Sequence, residues 1–204
     1  GRIAGAIGPL VASYRPYICP APDKAEKIYA RPVQLLVEAG VDLLLLETMS
    51  SVAQADGALR AASAAGLPIS LAVTVNDEDG TKLRSGEPVT DLAPLIDRFV
   101  PQAVLVNCSR PEAVAPALDI IGGFGRPFGA YANGFTEISH GFMHESPTVD
   151  QLEARNDLGP ARYADTAMGW LDQGATILGG CCEIGPAHIA ELHRRLIAEG
   201  HQIE

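Results

Sequence analysis

The chain has 204 residues, of which 47% are hydrophobic and 20% charged, so it has enough apolar material for a sizeable core in one domain. A formal net charge of −10 and a pI near 4.9 argue against nucleic acid or an anionic membrane as a partner, because phosphate binding needs clustered Lys and Arg. The sequence contains no apolar run of about 18 residues that would predict a membrane span, and its four cysteines are too few for a disulfide scaffold, so we expect a reduced, cytoplasmic protein.

Six strand-then-helix units follow one another along the chain. The predicted strands are short apolar runs at 2–7, 43–46, 69–75, 103–106, 128–131 and 176–178. The predicted helices lie at 22–39, 51–65, 90–99, 111–121, 160–173 and 186–198, several with proline in the first turn or glycine after the last. Ser51 is the expected N-cap of the second helix, and Pro116 makes the boundary of the fourth helix uncertain.

Polar or metal-binding residues follow strand after strand in this pattern. They are Glu47-Thr48, Asn76-Asp77, Asn107-Cys108, Asn133 and Cys181-Cys182. Alternating strands and helices predict a parallel α/β sheet, which is either open and doubly wound or closed as a (β/α)8 TIM barrel. A barrel collects such side chains around one mouth, whereas an open sheet binds ligands mainly at one switch point. The pattern favours the barrel, and the two missing βα units are expected before Gly1.

Three cysteines in two motifs are the strongest functional signal. Cys181 and Cys182 follow two glycines after the last predicted strand, and Cys108 follows the fourth. A turn that glycine permits can bring adjacent sulfurs to one metal ion, whereas buried packing does not explain two neighbouring cysteines. Three thiolates leave tetrahedral zinc one open position, as in catalytic sites. We interpret Cys108, Cys181 and Cys182 as ligands of one Zn²⁺ ion.

Four segments together carry a family resemblance. They are Asn107-Cys108-Ser109, the Gly-Gly-Cys-Cys at 179–182 followed by Pro186 and His188-Ile189, Ile7-Gly8-Pro9, and Leu45-Leu46-Glu47-Thr48. On these segments the whole chain resembles the homocysteine S-methyltransferase family. The resemblance implies a zinc-bearing (β/α)8 barrel, of which residues 1–204 form a single homocysteine-binding domain that supplies strands 3 to 8. It also implies transfer of a methyl group from S-methylmethionine, S-adenosylmethionine or betaine to the thiol of homocysteine, which gives methionine.

The resemblance assigns roles to residues at the mouth of the barrel. It implies that the cysteine-bound zinc converts the substrate thiol to a nucleophilic thiolate at neutral pH. Glu47 would bind the substrate amino group, with a solvated strand-end carboxylate as the alternative. Asn133 would line the site, in a segment where Ala132 replaces the proline of the family's Tyr-Pro-Asn pattern. Glu183 stands where the family often has Gly or Arg, and the Asp-Gly-Gly segment of the family's first strand is absent from these residues.

Other polar residues have two interpretations. Arg84 lies in a segment similar to a loop of a bacterial subgroup, where it could neutralise a carboxylate of donor or substrate or be a solvated loop arginine. His140 and His144 could line the donor side or be solvated. His188 is expected to be structural and not a fourth zinc ligand, and Cys19 to be an incidental loop or surface thiol.

Two classes of function are compatible with the sequence. The first is a zinc-dependent methyltransferase that acts on homocysteine or a related thiol or selenol. The second is a non-catalytic zinc-binding or oligomerising partial barrel, whose open strand edges pair with another chain, as in a homo-oligomer. A redox protein with a disulfide between Cys181 and Cys182 is disfavoured, because the Cys-X-X-Cys spacing is absent.

Overall fold

The computed structural model describes residues 1–138 and 152–203. In these residues six parallel strands form one sheet in chain order. The strands are β1 (Ala4–Ile7), β2 (Leu43–Met49), β3 (Ile69–Val73), β4 (Ala103–Asn107), β5 (Phe128–Tyr131) and β6 (Ile177–Leu178). The helices that follow them are α1 (Pro22–Glu38), α2 (Val52–Ser63), α3 (Ala93–Phe99), α4 (Pro111–Ile121), α5 (Pro160–Asp172) and α6 (Pro186–Ala198). All six predicted βα units are confirmed.

Local sequence signals explain most helix boundaries. The Ser51 side chain accepts a hydrogen bond from the Gln54 N–H at 3.1 Å, which confirms the predicted N-cap of α2. The predicted start of the third helix at Thr90 or Asp91 is wrong, because a 3-10 turn over Val89–Leu92 comes first. Pro94 accounts for the later start, since proline is best accommodated in the first turn of an α-helix.

The sheet is covered on both faces where it is most central. Every residue of β3 and β4 is buried, as expected for parallel strands between two apolar layers. The buried apolar side chains form two hydrophobic clusters. The larger one packs between the sheet and its helices. The smaller cluster lies on the other face and includes Ala72, Leu105 and, at its edge, Tyr131. This second face carries the side chains that approach the candidate site.

The sheet has two free edges among the described residues. β1 pairs only with β2, and β6 pairs only with β5, so the first and last strands do not close on each other. A cleft lined by Arg2, Leu178, Leu196 and Ile203 connects the start of β1 with β6. The observed fold is therefore an α/β fold with an open six-stranded parallel sheet. No helix in the described part of the chain combines the length and apolar composition needed to cross a membrane.

Candidate active site

The three predicted metal ligands come together at the carboxyl end of the sheet. Cys108 directly follows β4, and Cys181 and Cys182 lie just beyond β6. Their sulfur atoms all lie within 4.8 Å of one another, with Cys108 buried and the other two half-buried. Among the described residues, this is the one group of three or more His, Cys, Asp or Glu side chains that could share an ion. The geometry thus places three soft ligands at one point.

Two of the three sulfurs are bonded to each other, and the third is not. Cys108 and Cys181 are in disulfide contact, with a Cα–Cα separation of 5.8 Å, whereas the Cys182 sulfur is free and lies 3.9 Å from that of Cys181. Zinc–thiolate bonds of about 2.3 Å put the sulfurs of a tetrahedral site about 3.8 Å apart. The Cys181–Cys182 separation already fits this value, and Cys108 must be reduced and move away from Cys181 to join them. The donor set therefore fits a zinc ion when all three thiols are reduced.

Backbone bonds to the end of β5 hold both cysteine segments. The Cys108 N–H donates to the Tyr131 carbonyl at 3.3 Å, and the Cys181 N–H donates to the Ala132 carbonyl at 2.9 Å. The Cys182 carbonyl accepts from the Gly134 N–H at 2.8 Å. One stretch of chain after β5 thus sets the relative position of segments that are 73 residues apart.

Glycine is required in the turn before the adjacent cysteines. A Cβ atom at Gly180 would collide with the side chain of Ile184, so a larger residue would displace the turn.

The backbone of Cys108 has an unusual conformation, with a positive φ of 47°, which L-residues rarely adopt. Its carbonyl accepts hydrogen bonds from the Thr74 hydroxyl at 3.2 Å and from the Tyr14 hydroxyl at 3.4 Å. These contacts stabilise the unusual backbone from which the sulfur projects.

The electrostatic surroundings of the cluster are negative. Burial, followed by the charges of Glu183 and Glu47, raises the pKa of the Cys182 thiol, although a backbone hydrogen bond opposes the shift. A thiol with a raised pKa stays protonated at neutral pH unless a cation stabilises the thiolate. A cation beside Cys182 would therefore oppose this shift by stabilising the thiolate.

Glu47 lies on β2 and reaches toward the same end of the sheet. Its Oε2 atom accepts a hydrogen bond from the Tyr131 hydroxyl at 3.3 Å. Burial and the negative charge of Glu47 together raise the pKa of Tyr131, so the phenol stays protonated and acts as the donor. Glu47 as a whole residue is half-buried.

Asn133 is buried beside the cysteine segments. Its backbone N–H donates to the Ser109 carbonyl at 3.0 Å, and its Oδ1 accepts from the Phe135 N–H at 3.2 Å. Burial raises the pKa of the nearby Tyr14 phenol, and a side-chain hydrogen bond with Asn133 opposes this shift. The structure thus places Asn133 next to the cluster, while its contact with a substrate stays a prediction.

Arg84 is not a solvated loop arginine, which was one of its two interpretations from the sequence. Its guanidinium makes two hydrogen bonds with the Asp77 carboxylate, at 2.7 and 2.8 Å, and the side chain is only 12% exposed. The Cζ atom also lies 5.0 Å from the centre of the Tyr14 ring. Arg84 therefore supports Tyr14, which in turn contacts the Cys108 segment.

The remaining candidates take structural positions or lie outside the description. The Nδ1 atom of His188 accepts from the Gly185 N–H at 3.2 Å, at the start of α6, and its Nε2 lies 3.0 Å from the Leu158 carbonyl, just before α5, so His188 connects the starts of these two helices. Cys19 is half-buried, and its thiol donates to the Leu10 carbonyl at 3.1 Å. His140 and His144 lie outside the described residues.

Comparison with known proteins identifies the family. Residues 1–196 match the model of the family described as homocysteine S-methyltransferase, and the chain belongs to that family. It is 29% identical to the homocysteine S-methyltransferase of Escherichia coli (strain K12), over 95% of this chain and 62% of that protein. It is 25% identical to the selenocysteine Se-methyltransferase of Brassica oleracea var. italica, over 83% of this chain and 48% of the relative. The chain thus spans about half the length of these curated relatives.

The solved structures support the fold. The metallated form of the homocysteine methyltransferase MmuM from Escherichia coli matches with a TM-score of 0.74 at 24% identity, over 95% of this chain and 61% of that chain. The oxidized form of the same protein matches with a TM-score of 0.72 at 25% identity, over the same shares. The six-stranded sheet described above is therefore similar to the TIM barrel of MmuM.

Proposed function

We propose that the chain forms the metal-bearing part of a zinc-dependent methyltransferase that transfers a methyl group from an activated donor to the thiol of homocysteine, giving methionine. The observation that carries the proposal is the cluster of Cys108, Cys181 and Cys182, in a member of the homocysteine S-methyltransferase family. A three-thiolate set leaves one position for the substrate sulfur. A cytoplasmic setting would keep the three thiols reduced.

Each group at the site has a role in this reaction. Zinc held by the three cysteines would supply the positive charge that keeps a bound thiol ionised at neutral pH. Glu47 would pair with the substrate ammonium, and Asn133 would line the pocket beside it. The substrate sulfur would then attack the methyl carbon, and the bond from that carbon to the donor's sulfur or nitrogen would break. Much of the catalysis would come from the alignment of the two reactants.

The charge of the site favours a cationic donor. Three thiolates on Zn²⁺ leave a net charge of about −1, and Glu47 and Glu183 add negative potential around Cys182. A sulfonium or quaternary ammonium donor would be attracted to such a site and would lose its positive charge in the reaction. S-methylmethionine, S-adenosylmethionine and betaine all have this chemistry.

We also propose that the six strands correspond to strands 3 to 8 of an eight-stranded barrel within one domain. The free edges of β1 and β6 support this assignment, as does the cleft between them. The match to 61% of MmuM is in keeping with two further βα units. Those units would complete the pocket around the part of homocysteine that lies away from the sulfur.

A methyl-transfer assay tests the proposed function. The protein expressed from its complete gene would be loaded with zinc under reducing conditions and incubated with homocysteine and each of the three donors. We expect methionine with at least one donor, about one zinc ion per chain, and loss of both activity and metal in Cys182→Ala. Absence of product with every donor would contradict the proposal.

A second function, a non-catalytic zinc-binding or oligomerising protein, is favoured by one observation. Among the described residues, the outer edges of β1 and β6 have no strand partner, and such edges can pair with another chain. In that case the zinc-loaded protein would form a defined oligomer and give no methionine. Light scattering measured on the sample used for the assay separates the two functions.

A further inference from the structure

A bulge in β2 places Glu47 and its neighbour Thr48 outside the regular strand ladder. The pairing of β2 with β3 shifts register between Leu46 and Met49, so β2 contains one extra residue there. Thr48 has a positive φ of 62° within this bulge. Bulges of this kind turn a side chain in a new direction and are common beside active sites. The orientation of Glu47 therefore depends on what holds Thr48.

Asn107 holds Thr48 from the far side of β3. Its Oδ1 accepts from the Thr48 N–H at 2.9 Å, and its Nδ2 donates to the Thr48 hydroxyl at 2.9 Å. Asn107 is fully buried, so these bonds are shielded from water. Asn107 also directly precedes Cys108, so the pair of bonds ties the Glu47 segment to the first cysteine.

A second connection runs through Tyr131. Its carbonyl accepts from the Cys108 N–H at 3.3 Å, while its hydroxyl donates to the Glu47 Oε2 at 3.3 Å. Glu47, Thr48, Asn107, Cys108 and Tyr131 thus form a closed ring of covalent and hydrogen bonds, which we call the Glu47–Cys108 ring. Because the ring is closed, the Glu47 carboxylate and the Cys108 backbone cannot move apart without straining one of these hydrogen bonds, whereas the Cys108 sulfur lies outside the ring and can still rotate.

We infer that Tyr131 and Asn107 are positioning residues, which keep the Glu47 carboxylate at a set distance and orientation from Cys108. The inference rests on the proposed function and extends it. With Oε2 engaged by Tyr131, the Oε1 atom of Glu47 would be the one that accepts from a substrate ammonium. A substrate that carries a thiol and an amino group would then contact two pre-positioned points, which reduces the entropy cost of binding.

A comparison of two thiols tests the role of Tyr131. Homocysteine and 4-mercaptobutyrate, which lacks the amino group, would be titrated calorimetrically into zinc-loaded protein expressed from its complete gene. We expect Tyr131→Phe to weaken homocysteine binding about 5- to 10-fold, as for loss of one ordinary intramolecular hydrogen bond, and to leave 4-mercaptobutyrate binding within about 2-fold. Tyr17→Phe, at an exposed tyrosine, should bind both thiols like the wild type.

Thr48 provides an independent test of the same ring. Thr48→Val removes the hydroxyl that accepts from Asn107, whereas Thr48→Ser keeps it. We expect the valine variant to bind homocysteine more weakly but 4-mercaptobutyrate as the wild type does. The serine variant should bind both thiols like the wild type. In Glu47→Gln, the further change Tyr131→Phe should cause little additional loss, because Tyr131 acts through Glu47.

The outcomes distinguish the inference from the proposed function. Equal weakening of both thiols by Tyr131→Phe and by Thr48→Val, in folded protein, would assign these residues a purely structural role and overturn the inference. Unchanged homocysteine binding in both variants would overturn it as well. Failure of the wild-type protein to bind either thiol would instead refute the proposed function, and the positioning role with it.

Discussion

Removal of one cysteine from the cluster gives the most direct test of the metal site. Cys182→Ala deletes one of three sulfurs that lie within 4.8 Å of one another and leaves the backbone turn intact. Structural zinc sites with four ligands are worth about 10–16 kcal/mol, so one ligand contributes about 3 kcal/mol. Zinc affinity should therefore fall about 100-fold or more.

Competition against a chromophoric chelator measures this change, with thiols kept reduced so that Cys108 and Cys181 are not paired. Cys19→Ala is the matched control, because Cys19 is also a half-buried free thiol but lies outside the cluster. It should retain wild-type affinity. Wild-type zinc affinity in Cys182→Ala would refute the assignment, as would stoichiometric zinc in a triple variant that lacks all three clustered cysteines.

Three further predictions concern neighbouring residues. Glu47→Gln should weaken homocysteine binding about 10-fold in calorimetry and zinc affinity by much less, because the charge that it removes would face the ammonium and is not a zinc ligand. An equally large fall in zinc affinity would contradict this. Gly180→Ala should lower the free energy of unfolding in urea by about 1–3 kcal/mol through its collision with Ile184, whereas Gly123→Ala, at an exposed glycine with open space around it, should change little. Burial raises the pKa of Cys19 above its ordinary 9.0, so the unfolded chain ionises first at alkaline pH. The wild type should then lose more unfolding free energy than Cys19→Ala as the pH rises above about 9; equal losses would disprove it.

Secondary structure was predicted well because its signals are local. The N-cap at Ser51 and the prolines that open α1, α4, α5 and α6 act within one helical turn, so they can be recognised in the sequence. The missed start of α3 shows the limit of such signals. Thr90 and Asp91 are good helix-initiating residues, yet the chain forms a 3-10 turn there and begins α3 at Ala93, where Pro94 can be accommodated.

The candidate site, too, could be predicted from the sequence only in part. The order of parallel strands dictates that residues after β4 and β6 reach one edge, so the sequence could predict that Cys108 approaches Cys181 and Cys182. It left Arg84 with two interpretations, because no local pattern shows that an arginine will find Asp77 and the ring of Tyr14. It also gave no role to Tyr131, whose hydroxyl meets a carboxylate 84 residues away.

The sequence by itself determined the six βα units, the parallel sheet and the convergence of three thiols, because periodicity, capping and strand direction are set by neighbouring residues. Only the tertiary structure decided how those thiols are braced and how Glu47 is aimed. Thr48 and Asn107 are 59 residues apart, and their contact depends on a one-residue bulge in β2 and on the packing of the strand between them. Such contacts arise from the register and twist of the whole sheet, which no single stretch of sequence specifies.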